Sequence, residues 1–114
     1  MAATAARFPR RVQSLWEDPE NDLLISSASI LEIALKHRRG KIDMPEMLVR
    51  QAVEDLGLTV IAFEARHAYQ LFSLPLHHRD PFDRMIIATA LAENIPLIGG
   101  GRQFARYKGL RRIW

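Results

Sequence analysis

Two carboxylates, Glu32 and Asp83, are the strongest candidates for chemistry in this sequence. Each lies near the start of a predicted helix that follows an apolar segment, either directly or through a loop. Ligands of parallel α/β sheets gather at the carboxyl ends of the strands, so the two side chains are expected to converge there. Carboxylate oxygens are the hard ligands that Mg²⁺ prefers, and Mg²⁺ is commonly shared with substrate phosphates. The pair therefore predicts a magnesium site.

Both acids also have a structural explanation. Ser29 with Glu32 three residues later has the form of a capping box at a helix start. Asp83 is the third residue of a helix capped by Asp80, where a carboxylate favours the positive end of the helix dipole. From residue types alone the structural explanation carries more weight, so both readings stay open.

The histidines and the glycine-rich segment are weaker candidates. His77 and His78 are adjacent and cannot share a helix face, while His37 and His67 have no partner at ligand spacing. We expect all four to be surface or hydrogen-bonded side chains. The segment 99–101 lacks the Lys-Ser/Thr of a Walker A loop and the glycine spacing of a dinucleotide fingerprint, which excludes both types of phosphate loop.

Basic residues form two clusters on a chain with a formal net charge of +3. One cluster spans residues 36–41, and the other consists of Arg102, Arg106, Lys108, Arg111 and Arg112. Such clusters are either solvated faces or surfaces that bind an RNA backbone. Net charge alone does not decide between them.

Length and composition favour one intracellular domain. The chain of 114 residues has the length of a single domain, which we expect to span residues 1–114. It has no cysteine, which excludes disulfides, thiolate zinc sites and a thiol nucleophile. No apolar run approaches the roughly 18 residues that span a bilayer, and residues 1–6 make a poor signal peptide. We therefore expect a cytoplasmic protein without a membrane partner.

Short apolar runs alternate with amphipathic segments along the chain. Strands are predicted over residues 23–25, 58–63 and 95–98, and residues 110–114 form either a last strand or an extended tail. Helices are predicted over residues 28–39, 46–56, 64–73 and 81–92, with a short helix over 102–107. Asp80 is a good N-cap with Pro81 at the first helical position, and the helix after it is apolar nearly all round. This order predicts an α/β fold with a parallel sheet.

Two segments of the sequence closely resemble PIN-domain toxins of the VapC family. They are SASILEIALK at residues 27–36 and LPLHHRDPFDRMIIA at residues 74–88, and the resemblance extends over about residues 22–114, less surely back to a helix at residues 7–17. It implies a PIN-like three-layer sandwich with a mostly parallel sheet flanked by helices. It also implies a metal-dependent endoribonuclease of a type II toxin–antitoxin system, silenced by a VapB-like antitoxin.

The resemblance also implies roles for particular residues. Glu32 and Asp83 match the acids that hold Mg²⁺ or Mn²⁺ and act in catalysis, whereas Asp80 matches the helix cap beside the site. Possible contacts to the RNA backbone are Lys36, Arg84 and Arg102. A homodimer is an expectation from the family.

The sequence departs from the family in two places. The family's first, central strand, of the form Leu-Leu-Asp-Thr-His, has no counterpart here, and Gly101 stands where a further acid is expected, with Gly99 in place of a hydroxyl residue. The site then keeps only half of its acids, which predicts weak metal binding and little or no ribonuclease activity. Loss of the central strand between residues 23–26 and 97–99 predicts two unpaired edges, and with them marginal stability or a compensating partner.

Two other functions remain open from the sequence. One is a non-catalytic module that binds an antitoxin as a decoy, and the other is a gene remnant. An in-frame upstream segment encoding a strand with an Asp would favour the enzyme. A neighbouring antitoxin gene would separate a decoy from a remnant.

Overall fold

A computed structural model describes residues 9–114, in which helices and parallel strands alternate. The elements are α1 (Arg10–Glu17), β1 (Leu24–Ser26), α2 (Ser27–Arg38), α3 (Glu46–Asp55), β2 (Thr59–Ile61), α4 (Ala65–Gln70), α5 (Pro81–Glu93), β3 (Leu97–Ile98), a 3-10 helix (Arg102–Arg106) and β4 (Arg112–Ile113). The α/β fold predicted from the sequence is confirmed. Residues 7 and 8 of the predicted first helix lie outside the described residues.

The strands form two separate parallel pairs. Leu24 lies opposite Thr59 in the β1–β2 pair, and Leu97 lies opposite Arg112 in the β3–β4 pair. Each pair is a two-stranded sheet, so the described strands do not form one continuous sheet. Parallel strands need a long crossover, and α2 with α3 supplies it between β1 and β2.

A groove of about 440 Å³ lies between the two sheets. Every residue of β1 and β3 lines it, and the α5 residues Ile86, Thr89 and Ala90 line it as well. We call it the inter-sheet groove. Among residues 9–114, no strand is placed between β1 and β3. The groove thus lies where the resemblance predicted that a central strand is missing.

Helix α5 forms the centre of the core. Ile87 and Ala88 are fully buried, and Thr89 and Ala90 are nearly so. The small side chains allow α2 and α4 to pack closely against α5. The helix ends at Asn94, whose φ of 54° is left-handed, a conformation that asparagine adopts more readily than most residues. Neither α5 nor any other helix in the described part of the chain is long and apolar enough to cross a membrane.

The start of α2 differs from the prediction. Ser26 is the N-cap, and its Oγ accepts a hydrogen bond from the Ala28 N–H at 3.0 Å. The predicted capping box between Ser29 and Glu32 is therefore wrong, because both residues lie inside the helix. Strand β1 runs directly into α2, so the last strand residue also serves as the cap. Glu32 is consequently left without a capping role.

Loss of the Asp80 side chain is expected to destabilise the start of α5. Asp80 Oδ1 accepts hydrogen bonds from the N–H groups of Phe82 at 2.9 Å and Asp83 at 3.0 Å. Asp80→Ala should lower the free energy of unfolding by about 1 kcal/mol, measured by urea denaturation. Asp80→Asn retains an oxygen that can accept these hydrogen bonds, so its free energy of unfolding should fall much less. Equal losses in the two variants would show that the cap is not the cause.

Candidate functional site

The structure brings Glu32 and Asp83 to the contact between two helices. Glu32 is on α2, which packs against α5, the helix that carries Asp83. Their side chains are 20% and 26% exposed, respectively. The charges of Asp80 and Glu32 both raise the pKa of Asp83, so the three acids lie within electrostatic range of one another. We call Glu32, Asp80 and Asp83 the acidic pocket.

Lys36 supplies a positive charge to the acidic pocket. Its Nζ lies 2.9 Å from Glu32 Oε2, one helical turn away. The hydrogen bond and charge of Glu32 raise the pKa of Lys36, and the charges of Asp80 and Asp83 act in the same direction. The Lys36 side chain is 48% exposed, so it can leave Glu32 at little cost. In the free chain this ammonium partly neutralises the acids.

Three side chains that the sequence did not assign to the site surround Asp83. His78 Nε2 lies 3.5 Å from Asp83 Oδ2, and Gln103 makes a side-chain hydrogen bond with Asp83. On its other side, His78 Nδ1 lies 2.9 Å from the Tyr107 hydroxyl. Tyr107 is 3% exposed and therefore holds the imidazole ring against the core. Gln103 and Tyr107 come from a segment far from Asp83 in sequence, so residue spacing gave no signal for them, whereas His78 lies in the loop directly before α5.

Burial is the main cause of the raised pKa of Asp83, followed by the charges of Asp80 and Glu32. The charge of His78 and the hydrogen bond from Gln103 act in the opposite direction without cancelling them. Ionised Asp83 is thus held in an environment that disfavours its negative charge. A bound cation would relieve this repulsion, which is the electrostatic property expected of a cation site.

Asp83 is expected to make the chain less stable as the pH rises. Its pKa is higher in the folded chain than the ordinary value of 3.8, so the folded state binds the proton more tightly. That stabilisation is complete below the ordinary pKa and is lost as the pH rises through the folded pKa. Across this pH range, the free energy of unfolding measured by urea denaturation should fall less in Asp83→Asn than in the wild type. Asp43→Asn, at an exposed acid, should behave like the wild type, and a steeper loss for Asp83→Asn would contradict the assignment.

The three predicted RNA contacts lie in different environments. Lys36 is paired with Glu32, and Arg102 is exposed at the start of the 3-10 helix. Arg84 donates hydrogen bonds to the carbonyl oxygens of Pro75 at 2.8 Å and Leu74 at 3.2 Å. Arg84 therefore fastens the loop before α5 in the free chain, and we assign it a structural role. Lys36 and Arg102 keep the exposure that an RNA contact needs.

Two of the remaining histidines stabilise turns. His67 is fully buried; its Nδ1 accepts from the Glu64 N–H at 2.9 Å and its Nε2 lies 3.2 Å from Glu93 Oε1. His37 Nδ1 accepts from the Met44 N–H at 3.2 Å. Both are hydrogen-bonded side chains, as predicted, and neither belongs to the acidic pocket.

Gln103 occupies the space in front of Gly101. A Cβ built on Gly101 would lie 2.5 Å from the Gln103 side-chain amide. Gly101 has a φ of −73°, which any residue can adopt, so only the flexible end of Gln103 opposes a side chain there. At the position where the resemblance places an acid, this chain therefore has a neutral amide that reaches Asp83.

The residues present fit Mg²⁺ or Mn²⁺ in the type of their donors. Glu32 and Asp83 offer carboxylate oxygens, and the raised pKa of Asp83 marks a local excess of negative charge. The donors are few, however. Residues 9–114 contain no group of three or more His, Cys, Asp or Glu side chains arranged to hold a metal ion. Weak binding stays a prediction.

The comparisons with known protein families and solved structures agree with one another. No curated protein sequence matches this chain. The structure is similar to VapBC2 from Rickettsia felis bound to a promoter DNA fragment, with a TM-score of 0.69, 22% identity, and coverage of 98% of this chain and 90% of that one. DNA-bound VapBC from Salmonella typhimurium matches with a TM-score of 0.71, 20% identity, and coverage of 98% and 89%. The model of the PIN domain matches residues 4–110. The predicted resemblance is confirmed at the level of the fold, and the chain belongs to the PIN domain family.

Proposed function

We propose that this PIN domain is a VapC-like toxin of a type II toxin–antitoxin system that cleaves RNA with a divalent cation. The observation that carries the proposal is the packing of α2 against α5, which brings Glu32 near Asp83. The charges of Asp80 and Glu32 both act to raise the pKa of Asp83. The negative charges of two acids on different helices act on each other, as they do in the cation site of an enzyme that hydrolyses phosphate esters. The PIN family and the structural similarity to VapBC complexes support the same function.

Each residue of the site has a part in this function. Glu32 and Asp83 would hold Mg²⁺ or Mn²⁺, which when bound polarises a phosphoryl oxygen and lowers the pKa of water. Asp80 fixes the first turn of α5 and thereby the position of Asp83. Lys36, released from Glu32, would bind a phosphate of the RNA backbone, and exposed Arg102 would bind another.

The weak cation binding has a direct test at Gly101. Gly101→Asp should displace the Gln103 side chain and add a carboxylate beside Asp83. One more negative charge at this distance should tighten Mn²⁺ binding by about tenfold, measured by calorimetric titration. Gly101→Asn has nearly the same shape without the charge and should bind Mn²⁺ like the wild type. Equal gains in both variants would show that charge is not the cause.

The activity itself is tested on the purified chain with end-labelled single-stranded RNA. We expect slow cleavage that rises with Mg²⁺ or Mn²⁺, stops in EDTA, and is inhibited by a VapB-like antitoxin. Cleavage that persists undiminished in EDTA would contradict the proposal, as would intact RNA at all cation concentrations. The assay needs no knowledge of the natural RNA target, because a mixture of sequences can serve as substrate.

A second function, an antitoxin-binding decoy without catalysis, is favoured by one feature. Among the described residues, a groove of about 820 Å³ lies between α2 and α3, lined largely by apolar side chains such as Ile30, Val49 and Val53. Such a groove suits the apolar face of a partner helix. Tight antitoxin binding together with intact RNA would establish the decoy and exclude the enzyme.

A homodimer is the remaining partner expectation. Tyr69, Phe72 and Leu76 are 71%, 90% and 67% exposed, which is high for large apolar side chains. Association of two copies would bury part of this surface. Light scattering across chain concentrations would detect the dimer, and a constant monomer mass would exclude it.

A further inference from the structure

His78 has a buried ring nitrogen without a hydrogen-bond partner. Within the described part of the chain, its Nε2 is the one buried side-chain nitrogen or oxygen of which this is true. The atom lies 3.5 Å from Asp83 Oδ2, which is longer than an ordinary hydrogen bond. A buried polar atom without a partner is unfavourable, so its position beside a candidate cation ligand needs a physical reason.

The imidazole ring of His78 is held in place by its surroundings. Its Nδ1 lies 2.9 Å from the hydroxyl of Tyr107, which is 3% exposed. The ring also meets the rings of Phe104 and Tyr107 edge-on, with centroids at 6.1 Å and 5.6 Å. Because these contacts hold the ring from the core side, Nε2 stays directed toward Asp83.

Arg84 sets the direction of the hydrogen bond between Tyr107 and His78. A guanidinium group can only donate, and Arg84 Nη1 lies 3.4 Å from the Tyr107 hydroxyl oxygen. The same guanidinium is held by the carbonyl oxygens of Pro75 and Leu74. The Tyr107 oxygen therefore accepts from Arg84, and the hydroxyl hydrogen is available to donate to His78 Nδ1.

The hydrogen atoms around the Tyr107 hydroxyl favour one tautomer of the neutral His78 ring. In the described chain the hydroxyl has two polar partners, Arg84 and His78. A proton on Nδ1 would direct two N–H groups at the hydroxyl oxygen and leave the hydroxyl hydrogen without an acceptor. A proton on Nε2 leaves Nδ1 free to accept from Tyr107. The unpartnered Nε2 thus carries a hydrogen that is directed at Asp83.

We propose that His78 is a positioning residue for Asp83: its Nδ1 accepts from the Tyr107 hydroxyl, and its Nε2–H donates to Asp83 Oδ2. Hydrogen bonds of a site without its ligand are often long and shorten when the ligand binds. A donor on one carboxylate oxygen orients the carboxylate and leaves its other lone pairs for a cation. The use of the oriented carboxylate rests on the proposed function, whereas the order of the hydrogen bonds does not.

His78 lies beside the cation ligands and is not one of them. Imidazole binds a metal ion through a ring nitrogen that carries no proton. In His78, Nε2 carries the proton and Nδ1 is occupied by Tyr107. In agreement, residues 9–114 contain no group of three or more His, Cys, Asp or Glu side chains arranged around a metal position. His78 therefore acts through Asp83.

The tautomer is measured by NMR on the full chain labelled with ¹⁵N-histidine. Long-range ¹H–¹⁵N correlation at about pH 8, where a free imidazole is neutral, shows which ring nitrogen carries the proton. We expect His78 to carry it on Nε2, and added Mg²⁺ should leave it there. A proton on Nδ1 would overturn the proposal. Loss of the Nε2 proton on addition of Mg²⁺ would make His78 a ligand and would overturn it as well.

Tyr107→Phe removes the hydroxyl but keeps the buried ring. Without a donor to Nδ1, His78 should populate both tautomers in the same NMR spectrum. Mn²⁺ affinity, measured by calorimetric titration, should fall by about tenfold, because the ring no longer presents a fixed N–H to Asp83. If His78 in Tyr107→Phe keeps its proton on Nε2 alone, Tyr107 does not set the tautomer, and the proposal is wrong.

Variants of His78 separate the N–H donor from the bulk of the ring. His78→Leu should weaken Mn²⁺ binding by about tenfold, whereas His78→Gln keeps a side-chain N–H and should restore most of the affinity. The control is His77→Leu, which removes an imidazole that meets the Tyr107 ring edge-on at 4.8 Å between centroids. It should bind Mn²⁺ like the wild type. Equal losses in His78→Leu and His78→Gln, or no loss in either, would contradict the proposal.

RNA cleavage is a separate readout, because the NMR and Mn²⁺ experiments contain no RNA. If the wild type shows the expected tautomer and binds Mn²⁺ but leaves RNA intact, the proposed enzyme fails and the positioning of Asp83 stands. If His78→Leu binds Mn²⁺ and cleaves RNA like the wild type, the enzyme stands and the positioning fails. A wild type that binds no Mn²⁺ at any concentration would overturn both. If a variant does not fold, the tautomer of the wild type still decides the order of the hydrogen bonds.

Discussion

Asp83→Asn and Glu32→Gln are each expected to reduce Mg²⁺-dependent RNA cleavage by about a hundredfold or more. Each substitution removes a negative charge from a pocket that has few, yet preserves the size of the side chain. The remaining acid cannot hold the cation in place alone. The measurement is the initial rate of cleavage of end-labelled RNA at one fixed Mg²⁺ concentration, compared with the rate of the wild type.

The chain contains a matched control for Glu32. Glu46 forms the same type of i,i+4 ion pair, with its Oε2 at 2.7 Å from Arg50 Nε, compared with 2.9 Å for Glu32 and Lys36. Glu46→Gln should leave the cleavage rate unchanged, because it removes an equivalent ion pair outside the acidic pocket. Full cleavage by both Asp83→Asn and Glu32→Gln would remove these acids from the mechanism.

The core helix α5 could be predicted because its signals are local. Asp80, Pro81 and the apolar run that follows lie within one segment, and no other part of the chain is needed to interpret them. The structure places the helix start at Pro81, as the sequence predicts. Buried residues then follow from the sequence as well, since a helix that is apolar nearly all round must be covered on several sides.

The start of α2 could not be predicted by the same reasoning. Ser26, Ser27 and Ser29 are all acceptable caps, and local preference does not choose among them. The choice depends on where β1 ends, and β1 ends where its pairing with β2 ends. Ser27 is used instead to accept a hydrogen bond from the Phe63 N–H at 2.9 Å, a partner 36 residues away.

The surroundings of Asp83 were missed for a similar reason. The sequence singled out Asp83 itself, because an acid in the first turn of a buried helix is conspicuous. His78 and Gln103 approach it from a loop and from the 3-10 helix, and their contacts exist only in the folded chain. Acids can be nominated from the sequence, but the groups that shift their pKa require the structure.

Both sheets are built from short strands. Strand β3 has two residues and β1 has three, so each pair contains few hydrogen bonds. Stability must therefore come mainly from the packing of helices around α5. Among the described residues, the buried core cluster that includes Ile87 joins Leu74, Leu97 and Tyr107 to this helix.

Ile87→Ala is expected to cause the largest loss of stability among the variants considered. Ile87 is fully buried in the core, so its truncation removes apolar contacts and leaves a cavity. Such substitutions lower the free energy of unfolding by about 2–5 kcal/mol, whereas whole domains have only about 5–15 kcal/mol. Ile87→Val removes a single methyl group and should lose about 1 kcal/mol.

The measurement is urea denaturation followed by circular dichroism, with Leu76→Ala as the control. Leu76 is 67% exposed, so its truncation should change the free energy of unfolding by less than about 0.5 kcal/mol. In a graded series, the free energy of unfolding is far lower for Ile87→Ala than for Ile87→Val, and lower for Ile87→Val than for the wild type. That result would show that packing around α5 supports both sheets. If Ile87→Ala were no more destabilising than Leu76→Ala, the inter-sheet groove could not be bordered by a rigid α5, and the acidic pocket would lose its support as well.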